Sequence, residues 1–259
     1  MNDLDGVIHT DATPPLPPAT AWLNWTAEVP PPIPTLASQM RRPAASPTVR
    51  TDLPSAAARP HFVAPFNGEG RSAVEVLIDS SGRICYADER PTDRDVDGIL
   101  IERWEGELTG SVRWGHHVPA RQFMAMDNPV KCGGCGGQPD VDERGILWML
   151  NVEPGLHDGR LAGSILTATP PFCRRDARRA IQGCDLLREG IIALRVTEAD
   201  IVGIRGTVYS PNGETPLRDQ VVLFDEPTIT RVVANQLLRR LSAYTTDETT
   251  LPELAGPLQ

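Results

Sequence analysis

Lys131-Cys132-Gly133-Gly134-Cys135-Gly136-Gly137 and Pro170-Pro171-Phe172-Cys173-Arg174-Arg175-Asp176 are the stretches on which the fold of this chain turns. In each, two metal-binding side chains stand three positions apart: Cys132 and Cys135 on a Gly-rich turn, Cys173 and Asp176 just after a Pro-Pro step. Paired ligands at this spacing, one pair on a tight turn and one at a helix start, are the pattern of a structural zinc site. Gly136 permits a left-handed backbone after the second thiol. Pro170-Pro171 enforces an extended approach and then a helix start.

Cys184 is the competing fourth ligand, and distance argues against it. Cys173 and Cys184 differ by eleven positions, which on a continuous helix places them roughly 16 Å apart. Asp176 sits one turn from Cys173, on the same helical face. Cys184 falls in step with Ala177, Ala180, Ile181 and Leu187, the apolar stripe of a helix over 173–187, and reads as a small buried hydrophobe. The expected ligands are therefore Cys132, Cys135, Cys173 and Asp176, with His157 in reserve for the fourth place. Three thiolates and a carboxylate around Zn²⁺ leave a net charge of about −2, which the helix start and Arg174 and Arg175 are placed to offset. A redox CxxC needs its thiol at a helix N-terminus, which the surrounding glycines disfavour. Four protein ligands close the site and leave no position for catalytic water.

A knuckle, a strand region and then a helix carrying the last two ligands in its first turn form the layout of a treble-clef zinc finger. The segment from Val130 to Leu187 resembles uncharacterised bacterial proteins with a CxxC, a strand with a Leu-Trp core and a Pro-Pro-x-Cys-x-x-Cys helix start in that order. The matching residues are Cys132, Cys135, Leu147-Trp148, Pro170-Pro171 and Cys173. The resemblance places a cysteine where this chain has Asp176, a substitution that implies a weaker or more easily emptied site. It covers less than half of the chain and implies no activity.

Outward from this centre the composition changes sharply. Of 25 prolines, 12 fall within residues 1–60, including Pro14-Pro15-Leu16-Pro17-Pro18 and Pro30-Pro31-Pro32-Ile33-Pro34. Such runs cannot sustain a hydrogen-bond ladder and favour extended conformations, so 1–60 is expected to be a disordered arm. Trp22 and Trp25 within it suggest a short docking motif. Residues 245–259, acidic and proline-containing, are expected to fray. Between them lie a β-rich part at 61–130, the zinc segment at 131–190, and strands plus a C-terminal helix at 191–244. This remainder is long enough for a core that does not depend on metal.

Several elements are legible. Val74–Ile78 and Ile84–Ala87 flank a Gly-containing turn and read as a β-hairpin. Gly98–Trp104 and Gly110–Trp114 read as strands, 120–126 as a short helix and Arg144–Val152 as a buried strand. Three β-like runs follow, at 191–196, 201–209 and 220–224. Ile229, Val233, Leu237, Leu241 and Tyr244 keep a helical period behind the capping candidates Asp225 and Thr228. The class expected is α+β, with small antiparallel sheets around the zinc site.

The net charge of −9 opposes bulk coating of nucleic acid. The arm carries five acids and four arginines and the tail three acids and no base, which leaves −5 for the middle. Of 25 basic residues only Lys131 is a lysine. Arg174, Arg175, Arg178 and Arg179 make the helix at 173–187 the one locally basic face, a candidate for phosphate contacts. No run approaches the roughly 20 apolar residues of a membrane span. Asp3 and Asp5 stand where an export signal needs positive charge, and the cysteine usage suits a reducing compartment, so a cytoplasmic location is expected.

Two weaker constellations are present. Asp93-Arg94-Asp95-Val96-Asp97-Gly98 matches the front of a calcium loop, but Trp104 occupies the position of the bidentate Glu. A His-Asn-His nuclease, the rival reading as an enzyme, would draw on His157, Asp158 and Asn151, with His116-His117 lying before the knuckle. The expectation that results is a zinc-stabilised module without chemistry of its own, recognising a protein or a nucleic acid.

Overall fold

The computed structural model describes residues 62–151, 164–185, 187 and 190–255. The Pro-rich arm with Trp22 and Trp25, and His157 and Asp158, lie outside these residues. The architecture is α+β. Two small antiparallel sheets, each of two strands, accompany a seven-stranded sheet that is larger than anything expected from the sequence.

Strand β1 (Glu69–Arg71) pairs with β5 (Trp104–Gly106), and β2 (Val76–Ile78) with β3 (Ile84–Tyr86). The second pair is the expected hairpin. Its turn is closed by Asp79, whose Oδ1 accepts from the amides of Ser81 and Arg83, while Gly82 takes φ +80°. Gly110–Trp114 forms no strand; Val112 makes a single bridge to Phe66.

The large sheet runs β4 (Leu100–Ile101), β11 (Val232–Thr246), β9 (Ile191–Val208), β7 (Gly145–Asn151), β6 (Val141–Asp142). In addition β10 (Leu217–Leu223) pairs with β9 and β8 (Ile165–Thr167) with β11. All pairings are antiparallel except that of β4 with β11. Two expectations are overturned here. The runs at 191–196 and 201–209 are one strand of 18 residues. The predicted C-terminal helix over 229–244 is also a strand, preceded by a 3-10 turn at Pro227–Arg231 that lacks a side-chain cap. Neither Asp225 nor Thr228 starts an α-helix. A spacing of four is even, so Val233, Leu237 and Leu241 suit one face of a strand as readily as a helix stripe. Four register shifts between β9 and β11 bend these long strands.

Three α-helices are defined among the described residues. Helix α1 (Pro119–Met126) begins on a proline, where the missing amide costs nothing. It is pinned to β11 by buried Gln122, which donates to Leu237 O at 3.0 Å and accepts from Leu237 N at 2.8 Å. Helix α2 (Arg174–Gly183) lies where the helix over 173–187 was expected but stops short of it, at Cys184, whose backbone is extended. Helix α3 (Thr250–Ala255) corrects the expectation of a frayed tail: Leu254 is buried with Leu147, Met149, Ala177 and Ala193. No helix among the described residues is long and apolar enough to cross a membrane.

Strand β7 is apolar from Ile146 to Leu150 because both of its faces are covered there. Leu147 and Met149 pack under α2 with Ala177, Ala180, Cys184 and Leu187. Trp148 and Leu150 face Leu194, Val196 and Leu241, and the Trp148 indole donates to Thr169 O at 2.7 Å. This layer of β7, β9 and α2 is the platform for the centre described next.

Candidate metal centre

Cys132, Cys135, Cys173 and Asp176 come together: one ligand atom from each lies within 4.8 Å of the others. Among the described residues no other group of three or more His, Cys, Asp or Glu side chains does so. Cys184, as its spacing requires, lies one helix length away in the apolar core.

The backbone explains the convergence. Cys132 N donates to Gly137 O at 2.7 Å and Gly136 N to Cys132 O at 2.8 Å, closing the knuckle on itself. Gly136 takes φ +72°, as the turn demands. Gly134 meets a different need. A Cβ there would lie 2.3 Å from Asp176 Cβ, so only a bare Cα lets the knuckle rest on the first turn of α2. Two further segments hold it: Gly133 N donates to Pro171 O at 2.9 Å, and Val63 N to Gly133 O at 3.0 Å.

The donor chemistry is asymmetric. Asp176 is fully buried; its Oδ2 faces the thiols of Cys173 at 3.2 Å and Cys132 at 3.5 Å. Its Oδ1 faces outward to Arg175 at 3.4 Å and Arg179 at 3.5 Å. One oxygen is thus turned to the cluster and the other to two guanidinium groups, the arrangement of a carboxylate ligand held by outer-shell partners. Cys132 Sγ receives the amide of Cys173 at 3.2 Å. Burial pushes the Cys132 and Cys173 thiols up; on Cys173 the Asp176 amide opposes this and the Asp176 carboxylate adds to it. Burial also opposes ionisation of Asp176, but hydrogen bonds from Cys135 and Cys173 and the Arg175 guanidinium outweigh it and hold its pKa down. Without a cation, then, protonated thiols donate to a carboxylate. A divalent cation would take the place of their protons.

The arginines of α2 divide into two pairs. Arg174 reaches Glu253 at 2.7 Å and Asp140 at 3.4 Å, and Arg178 donates to Glu253 O at 3.0 Å, so both tie α2 to its surroundings. Arg175 and Arg179 keep side-chain exposures of 61% and 46% while touching Asp176. Arg174, at 50%, is as exposed as Arg179, so the four arginines divide by partner and not by exposure.

The calcium constellation does not assemble. The Asp93 carboxylate grips the Arg103 guanidinium through both oxygens, and Asp95 Oδ1 accepts the amides of Asp97 and Ile99 in its own turn. The Asp93 and Asp95 carboxylates thus serve a buried ion pair and the turn, and the three do not gather into a cation-binding group. Nor does either histidine of 116–117 join the cluster. His117 Nδ1 lies 3.3 Å from Gln236 Nε2, and burial, together with His116 and Arg205, lowers its pKa to about 4.

Sequence reasoning missed Arg195, fully buried on β9, which binds Asp247 at 2.7 Å, Asp140 at 2.7 Å and Asp142 at 3.3 Å. These contacts fasten the β6–β7 hairpin and the start of α3 beside the knuckle. No sequence signal marks the group, since its members come from three separate segments. Comparison with protein-family models, with curated proteins and with solved structures gave no match.

Proposed function

We propose that this protein is a zinc-stabilised binding module, without catalysis of its own, whose recognition face surrounds the exposed arginines of α2. The observation that carries the reading is the closed set of four donors. In a tetrahedral site with Zn–S near 2.3 Å and Zn–O near 2.0 Å, a sulfur and an oxygen stand about 3.5 Å apart. The sulfur–oxygen separations here are 3.2 and 3.5 Å. Thiol-rich ligation favours zinc over calcium or magnesium, which prefer oxygen.

The order of parts supports a treble-clef-like reading: the knuckle at 132–137, the β6–β7 hairpin, then α2 with Cys173 as its N-cap and Asp176 in its first turn. In that reading the ion has a structural task, locking the knuckle to the helix. All four positions are filled by protein, so no site remains for a metal-activated water. The partner would be an acidic protein surface or a nucleic-acid phosphate, since Arg175 and Arg179 offer outward guanidinium groups.

Elemental analysis of protein purified without added chelator should find about one zinc per chain. Asp176→Ala should lower zinc retention in competition with a chromophoric chelator; full retention would reject the ligand set. Arg175→Glu with Arg179→Glu should abolish any DNA binding measured by fluorescence anisotropy. Plasmid incubated with Mg²⁺ or Mn²⁺ and the protein should stay intact, and nicking abolished by His157→Ala would favour the nuclease.

A further inference from the structure

A cleft of about 310 Å³ opens where the β2–β3 hairpin meets the large sheet, on residues that play no part in the metal centre. Its lining joins an apolar group, Val74, Val76, Val233 and the ring of Tyr86, to a larger polar part. Tyr86 is fixed there, its hydroxyl donating to Ile101 O at 3.0 Å and its ring stacked by Arg103 at 5.0 Å. The polar part carries two guanidinium groups, Arg71 at the end of β1 and Arg218 on β10, together with Tyr209 and the carboxylate of Glu102. Burial raises the Tyr209 phenol pKa and Glu102 adds to the rise, while Arg71 and Arg218 act against it, so both positive charges and the Glu102 carboxylate stand near the same ring.

Two features prepare these charges for a ligand. Glu102 takes Arg71 by its Nε, at 3.1 Å, and is itself held by the Trp104 indole at 2.7 Å. This contact orients Arg71 while leaving its two terminal nitrogens to a ligand at the mouth. Arg218 is aimed by the backbone. The pairing of β10 with β9 shifts register between Leu217 and Gln220, and within that bulge Asp219 takes φ +55°, the one described non-glycine residue with positive φ. Bulges of this kind redirect side chains beside functional sites. Asp219 places its own charge near Arg205.

We infer that this cleft binds a small organic anion, its carboxylate or phosphate held between Arg71 and Arg218 and its apolar body against Val74, Val76 and Val233. A concave site of a few hundred Å³ in which apolar side chains meet converging polar groups is the usual form of a small-ligand pocket; the larger polar share here suits a charged ligand. Two forked guanidinium groups suit an oxyanion. The inference is independent of the metal reading.

Benzoate, phenyl phosphate, benzyl alcohol and inorganic phosphate, each titrated into the full-length protein, would test it by calorimetry and saturation-transfer NMR. At least one of the two aromatic anions should bind saturably, and its identity distinguishes a carboxylate from a phosphate ligand. Arg218→Ala should weaken that binding about tenfold, as loss of a charge-assisted hydrogen bond does, and Arg218→Lys should recover part of it. Arg178→Ala, on α2, should leave it unchanged. Arg218 is exposed, so a melting temperature equal to that of the parent establishes that the variant is folded. Failure of both aromatic anions to bind, or binding unaltered in Arg218→Ala, would overturn the site. Equal affinity for benzyl alcohol would overturn the role of charge, and equal affinity for inorganic phosphate the role of the apolar wall.

Discussion

Gly134 shows how little room the metal centre leaves. Its missing Cβ is replaced by the Asp176 side chain, so Gly134→Ala must push the knuckle off α2 or drive Asp176 from the cluster. Overpacking of this kind costs about 1–3 kcal/mol. Gly134→Ala should therefore lower the urea midpoint and also lower zinc retention, whereas Gly213→Ala, in a turn with open space around it, should leave zinc retention unchanged. The Gly-Gly between the thiols signals this close approach in the sequence; that its neighbour would be Asp176 was inferable only through the shared ion. His117 makes a different single-residue case. Its pKa is lowered to about 4, first by burial and then by His116 and Arg205, so in the folded protein it stays neutral while an unfolded histidine near 6.5 takes up a proton. Between those values the unfolded state binds more protons, and stability must fall as pH drops from about 6.5 toward 4. Thermal unfolding followed across that interval should show a slope that His117→Asn flattens, with Gln236 kept as its neighbour.

The elements differ in how far their sequence gives them away. Helix α2 is legible because its apolar stripe and the ligand pair demand the same period of 3.6. Strand β7 is legible because seven residues without polar alternation suit a strand covered on both faces. Strand β11 is not, since its i, i+4 spacing satisfies both periods and the deciding fact is a partner, β9, distant in sequence. Tail residues 247–255 fail for a related reason: an acidic, proline-containing stretch reads as solvated until its buried cation is known. Burial opposes ionisation of Asp247, yet bonds from Thr250, Arg195 and Thr249 outweigh it and hold the carboxyl far below its ordinary range. It also receives the Thr250 amide at 3.2 Å at the start of α3. Asp247→Asn keeps the shape and removes the charge facing Arg195, leaving a fully buried guanidinium with less compensation. Breaking a buried pair in this way costs about 3–5 kcal/mol; Asp140 and Asp142 remain beside Arg195, so the lower end of that range is expected in urea denaturation. Because a depressed carboxyl gives its stability above the unfolded pKa and loses it as pH falls, the gap between Asp247→Asn and the parent should close in acid.

Taken together, the described residues contain a large sheet whose strand ladder does not involve the four donors and a smaller region gathered around them. The contacts between β9 and β11 bury Ile204, Leu237 and Leu241 in clusters that contain no cysteine, whereas the knuckle, Phe172 and the first turn of α2 meet through Cys132, Gly133 and Asp176. Metal removal should then open one part of the molecule and spare the other, since local stability follows local contacts. Protein stripped of zinc by chelation at neutral pH and returned to metal-free buffer should exchange amide hydrogens faster at 132–137 and 172–177. The amides of Gly203, Ile204 and Leu238 should keep their protection, because the ladder between β9 and β11 closes without the ion. Uniform deprotection of both regions would mean that the sheet depends on the ion, and unchanged exchange at the knuckle would mean that the four side chains hold one another without it. Cys132→Ser with Cys135→Ser should reproduce the local pattern of the stripped protein even with zinc supplied, which separates loss of the ion from damage by the chelator.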